Sequence, residues 1–178
     1  MSKKRKEQLL ISALFILAIG LGFLVSGLQQ RPVSEYPDQL SPLNAEDFVL
    51  VNTNPHLQLG VASMEEVQQQ YPDGKMLGRS GVYKLTHLNA IFTFTRKTNI
   101  LTKLDIIGPG LATARSVSVN DSFTKVVKNY GDGFIRSYYK NDPQTFDAVY
   151  GEGQCIVFHV KDNIVKKIVI LHEIEKTI

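Results

Sequence analysis

Apolar residues recur along this chain in two rhythms, one helical and one of strands, and each occurs twice. Met64, Val67 and Tyr71 fall three or four apart, as do Phe123, Val126, Val127 and Tyr130, so each set lines one face of a short helix. Ser63 followed by Glu66 makes a capping box for the first, and Asn120, Asp121 or Ser122 offers an oxygen to the free amides of the second. Pro72-Asp73-Gly74 and Gly131-Asp132-Gly133 then stop the helices and turn the chain. Further on, Phe92 and Phe94 alternate with Thr93 and Thr95, and Ile100, Leu104 and Ile106 keep even spacing, the period of a sheet with one buried face. Lys97-Thr98-Asn99 and Lys161-Asp162-Asn163 supply hairpin turns, where Asn and Asp tolerate left-handed backbone angles. Segments 81–85, 137–140 and 146–150 supply more strands, and the apolar run 48–51 reads as one that joins the body.

The two rhythms line up with each other. Residues 90–106 (AIFTFTRKTNILTKLDI) align without gaps on 154–170 (QCIVFHVKDNIVKKIVI), matching Phe94 with Phe158, Asn99 with Asn163 and Lys103 with Lys167. Residues 63–74 lie over 122–133, sharing Ser, Val, Tyr, Asp and Gly at the same spacing, and the second copy is five residues longer between Gly133 and Gln154. This predicts an α+β fold of two tandem units, 46–108 and 109–178, each a short helix packed on a three- or four-stranded antiparallel sheet. Units of about 60 residues bury only about 60% of their unfolded surface, so the two should pack together.

Ahead of the body stands a different pattern. Lys3, Lys4, Arg5 and Lys6 in a basic tail, 1–8, precede the uncharged run 9–28. A helix of that length, at about 1.5 Å per residue, spans the roughly 30 Å core of a bilayer. The positive flank predicts a cytoplasmic amino terminus and an extracytoplasmic body, a single-pass cell-membrane protein whose first partner is the membrane through 9–28. Secretion after cleavage near Val25-Ser26-Gly27 is the alternative, because a signal peptide has the same order of regions. Residues 29–45, with Pro32, Pro37 and Pro42 and no apolar period, read as a tether. Of 20 basic and 17 acidic residues, four and one lie in the tail, which leaves 16 of each sign beyond it. That balance argues against nucleic acid as a partner.

The glycine turn and capped helix ending in Tyr-Pro or Tyr-Gly recur from Leu59-Gly60-Val61 to Tyr71 and from Val119-Asn120-Asp121-Ser122 to Tyr130-Gly131, each followed by an aromatic strand and a Lys-x-Asn-Ile hairpin. In these features residues 57–171 resemble the tandem helix-plus-sheet modules of β-lactamase-inhibitor-like proteins and of small outer-membrane assembly lipoproteins, and the exported modules of Gram-positive bacteria. The resemblance implies a fold and identifies no site. The chain departs from the inhibitors in lacking paired cysteines and from the lipoproteins in lacking a cysteine to acylate; Cys155 is its single thiol and reads as a small buried hydrophobe.

Reactive side chains do not fall into a catalytic or metal-binding spacing. His56, His87, His159 and His172 form no ligand pattern, and Asp132, Asp142, Asp147 and Glu152 read as solvated loop acids rather than a carboxylate pair. No cofactor is expected, and the chain is not expected to be an enzyme. Tyr138 and Tyr139 lie where the second unit is longer than the first, and adjacent strand residues point to opposite faces, so one of them should face outward as a contact residue. The expected function is a non-catalytic interaction module that binds another envelope or extracellular protein. The alternatives are inhibition of an exported hydrolase and a cell-wall or glycan-modifying enzyme.

Overall fold

The computed structural model describes residues 34–50, 53, 56–78, 81–139 and 142–172. Nine strands of these residues build one antiparallel sheet: β1 (Ser34–Glu35), β4 (Lys75–Met76), β5 (Val82–Leu85), β6 (Ala90–Phe94), β7 (Leu101–Ile106), β8 (Ile135–Tyr139), β9 (Asp142–Tyr150), β10 (Cys155–Lys161) and β11 (Ile164–Leu171). Their spatial order is β1-β8-β9-β10-β11-β7-β6-β5-β4. A second, two-stranded sheet pairs β2 (Val49–Leu50) with β3 (Leu57–Gln58), after a 3-10 turn at Ala45–Phe48. Among the described residues only two α-helices occur, α1 (Met64–Gln70) and α2 (Phe123–Tyr130).

The expected pair of separate helix-on-sheet units is therefore corrected to a single large sheet. The cause is the ladder between β7 and β11, where Ile106 lies opposite Ile168, Asp105 opposite Val169, Leu104 opposite Ile170 and Lys103 opposite Leu171. In two separate units each of these strands would present an unpaired row of amides and carbonyls. Joined, they bury that edge and place Leu104, Ile106, Ile168 and Ile170 in one continuous core.

A second correction concerns the membrane. Among the described residues no helix is long and apolar enough to cross a bilayer, so nothing there supports a single-pass protein or an extracytoplasmic location. The predicted tail 1–8 and span 9–28 lie outside the described residues.

The helices start where the capping signals place them. Ser63 accepts from the amide of Glu66 while the Glu66 carboxylate accepts from the Ser63 amide, and Ser122 accepts from the amide of Lys125. The first turn of each helix is also tied to a hairpin turn: the Met64 amide donates to the Asn99 carbonyl at 2.9 Å, and the Phe123 amide to the Asn163 carbonyl at 2.9 Å. Asn99, Asp162 and Asn163 all have positive φ, which suits Asn and Asp in tight turns. Both helices cover one face of the sheet. Val67 is fully buried and Tyr71 stacks 5.7 Å from Phe92, while Tyr130 meets Phe158 at 5.1 Å and Tyr150 at 5.3 Å.

Segment 34–45, expected as a tether, lies along the body. Ser34 and Glu35 pair with Ser137 and Arg136. The Ser41 amide donates to the Gly133 carbonyl at 2.7 Å, and the Gly133 amide donates back to Ser41 Oγ at 3.1 Å. A Cβ at Gly133 would stand 2.3 Å from the Gln39 carbonyl oxygen, so only glycine admits this approach. The segment is anchored by Asp47, 2% exposed, whose carboxylate holds Arg115 Nε at 2.6 Å and Nη2 at 2.7 Å. Arg115 also donates to the carbonyls of Pro42 and Asn129 and stacks 4.7 Å over Tyr130, and its hydrogen bond to Asp47 raises its pKa further.

Two outcomes follow from this packing. Arg115→Ala strands the buried Asp47 carboxylate, and urea unfolding should show a loss of about 3 kcal/mol with faster proteolysis within 34–45; a loss below about 0.5 kcal/mol would contradict the clamp. Burial pushes the Tyr130 phenol up to about 12 and raises Tyr150 as well. The unfolded phenols ionise near 10.0, so stability is full below that pH and falls as pH rises from there through about 12. Tyr130→Phe removes one titrating oxygen and should make that alkaline loss shallower.

Candidate functional site

Strand β8 divides its side chains between the two faces of the sheet, and a bulge between Tyr138 and Tyr139 sharpens the division. Tyr138 turns to the helix-covered side. Its ring lies 6.2 Å from Phe146, its hydroxyl donates to Glu35 Oε2 at 3.1 Å, and Arg136 Nη1 reaches that hydroxyl at 3.4 Å. Tyr139 turns to the opposite side, which α1 and α2 do not cover, and is 46% exposed. Structure thus separates the two tyrosines that the sequence offered as contact residues, and Tyr139 is the outward one.

Tyr139 is held from two sides. Its hydroxyl donates to Asp147 Oδ2 at 3.0 Å, and its ring meets the His159 imidazole edge-on at 5.1 Å. His159 Nδ1 lies 2.9 Å from Asp147 Oδ1, so a single carboxylate fixes both rings. Burial, then the hydrogen bond to Asp147 and its charge, raise the Tyr139 phenol above its ordinary value.

The polar row continues across the sheet. Lys167 stands opposite His159 in the β10–β11 ladder, and its amine lies 2.6 Å from Asp105 Oδ1; Lys103 holds Oδ2 of the same carboxylate at 2.9 Å. Asp105 is 5% exposed, shielded by its two lysines. Between these polar groups the ladders set Val149, Val157 and Val169 side by side, each half-buried. The uncovered face therefore carries an aromatic anchor, a valine strip and a row of fixed charges of both signs.

The other reactive residues stay apart from this row. Asp142 accepts from Thr145 Oγ1 at 2.7 Å, Glu152 lies in the turn between β9 and β10, and His172 sits at the end of β11 with its Nε2 3.0 Å from Gln154. Cys155 opens β10 and is half-buried. Among the described residues no three His, Cys, Asp or Glu side chains gather as for a metal ion. Sequence reasoning named Tyr139, set Asp147 aside as a solvated loop acid and His159 as a histidine outside any ligand pattern, and did not single out Arg136; Asp147 lies in β9. The signal for Asp147 and His159 was their place directly across the β9–β10 hairpin, legible only once its register is fixed.

No family model matches this chain, and no curated protein or solved structure matches it.

The Asp147 contact gives a direct test. In an NMR titration of ring-labelled tyrosine, Tyr139 should ionise above the ordinary value, and Asp147→Asn should bring it down by removing the neighbouring negative charge. A Tyr139 titration unmoved by Asp147→Asn would mean the pair is not formed in solution.

Proposed function

We propose that this protein is a non-catalytic interaction module that binds another protein through the sheet face carrying Tyr139. The observation that carries the reading is the state of Tyr139: a large ring, nearly half exposed, yet held by Asp147 and His159 on a face that no helix of the described residues covers. A ring already fixed in place loses little entropy on binding, which is why aromatic anchors dominate many interfaces. The flanking valines offer apolar area, and the Lys103-Asp105-Lys167 row offers charges that select among partners by complementarity.

A photo-crosslinking residue at position 139, in cells that produce the protein, should yield a discrete protein adduct. The same residue at Lys97, in the exposed turn after β6, should not. The adduct should vanish with excess unlabelled protein, and Tyr139→Ser should weaken binding of the captured partner about 30-fold, the equivalent of about 2 kcal/mol. Adducts of equal yield at both positions, or an affinity unchanged by Tyr139→Ser, would remove this face from consideration.

A further inference from the structure

On the helix-covered side of β8 a second arginine is held in a very different way from Arg115. The Arg136 guanidinium carbon lies 4.5 Å from the Phe146 ring centre, 5.3 Å from Phe134, 5.8 Å from Phe123 and 5.9 Å from Tyr138. Four rings fix its position and favour its charge, but ring faces accept none of its in-plane donors. Arg115 spends its fork on four hydrogen bonds; Arg136 makes one long bond, to Tyr138, and its buried Nε has no partner among the described residues. No carboxylate of those residues lies within ion-pair distance of it. A half-buried cation with unspent donors is costly unless something supplies acceptors.

The place where an acceptor can enter is also present. A cavity of about 400 Å³, within the range of small-ligand pockets, is lined by Phe123, Arg136, Gln144, Phe146, Asp162 and Asn163. Its walls are two aromatic rings, its cation is Arg136, and its amides come from Gln144 and Asn163. We propose that this pocket binds a monocarboxylate attached to an apolar or aromatic body. The planar carboxylate matches the guanidinium fork, and the Phe123 and Phe146 rings beside it offer apolar contact to the body of the ligand. A phosphate fits less well, because among the described residues no second cation lines the pocket and Asp162 repels a dianion more than a monoanion. The same chemistry is carried by a free small acid and by the carboxyl terminus of a peptide.

The test uses the intact protein and four probes: 3-phenylpropanoate, its uncharged amide, and a short peptide ending in phenylalanine with either a free or an amidated terminus. Saturable amide shifts at residues 123, 136, 144, 146 and 163 are expected with one or both carboxylates, and with neither amide. Tighter binding of the free-ended peptide than of 3-phenylpropanoate identifies a chain terminus; the reverse identifies a small acid. Arg136→Gln should weaken binding at least tenfold, in a protein whose thermal transition shows it folded. Should that variant fail to fold, Asp162→Asn provides the decision, because Asn keeps the positive φ at that turn and removes the repelling charge; it should tighten carboxylate binding several-fold. Equal binding of acid and amide, no saturable shift with either carboxylate, a folded Arg136→Gln that binds normally, or an Asp162→Asn that fails to tighten binding would each overturn the proposal.

Discussion

The ladder between β7 and β11 is the constraint on which the rest of this structure depends. It joins the two halves of the sheet through four residue pairs, and its inward-facing side chains, Leu104, Ile106, Ile168 and Ile170, are all fully buried. Because β11 also pairs with β10, it is covered on both edges and the core runs without a break from Phe92 under α1 to Phe158 under α2. The same register fixes the other face. Lys103, Asp105 and Lys167 can meet only because β7 and β11 are neighbours, so the charged row is a product of the ladder and not of either half alone.

Local structure was largely legible in the sequence, and the assembly was not. Ser63 with Glu66, and Ser122, start helices because their oxygens satisfy amides that have no partner within the helix, a strictly local need. Asn99 and Asn163 turn the chain for an equally local reason. By contrast, the alternation of Leu104 with Lys103 and Asp105 says which face of β7 is buried and nothing about which strand lies beside it. Two closed units and one joined sheet have the same periodicity, and only long-range pairing separates them. The site divides in the same way. That one of Tyr138 and Tyr139 must face outward follows from strand geometry, but Asp147 and His159 become neighbours only through the β9–β10 register, and a lone Asp and a lone His carry no mark of it.

The contrast between the two arginines shows how charge is handled in this fold. Arg115 lies far along the chain from Asp47, and its carboxylate partner and two carbonyls take four of its five N–H donors. Its contacts tie the segment before β2 to the end of α2, through Asp47 and Pro42 on one side and Asn129 on the other. Arg136 has aromatic support, one long bond to the Tyr138 hydroxyl and a buried Nε with no partner among the described residues, and that incompleteness is the ground of the proposed carboxylate pocket.

The position of β8 next to the rim of the sheet decides which part of it can take part in recognition. Among the described residues the sheet ends on both sides in two-residue strands, β1 and β4, and these carry Glu35 and Lys75. Very short, charged edge strands are poor templates for strand addition, since they offer few backbone groups and tie an incoming strand to an unfavourable register. β1 covers β8 at Arg136 and Ser137. What β8 presents instead is side chains, and the bulge after Tyr138 sends Tyr139 to the uncovered face, where Asp147 and His159 meet it. For the proposed interaction role, the contact surface is therefore a face of fixed side chains rather than a backbone edge.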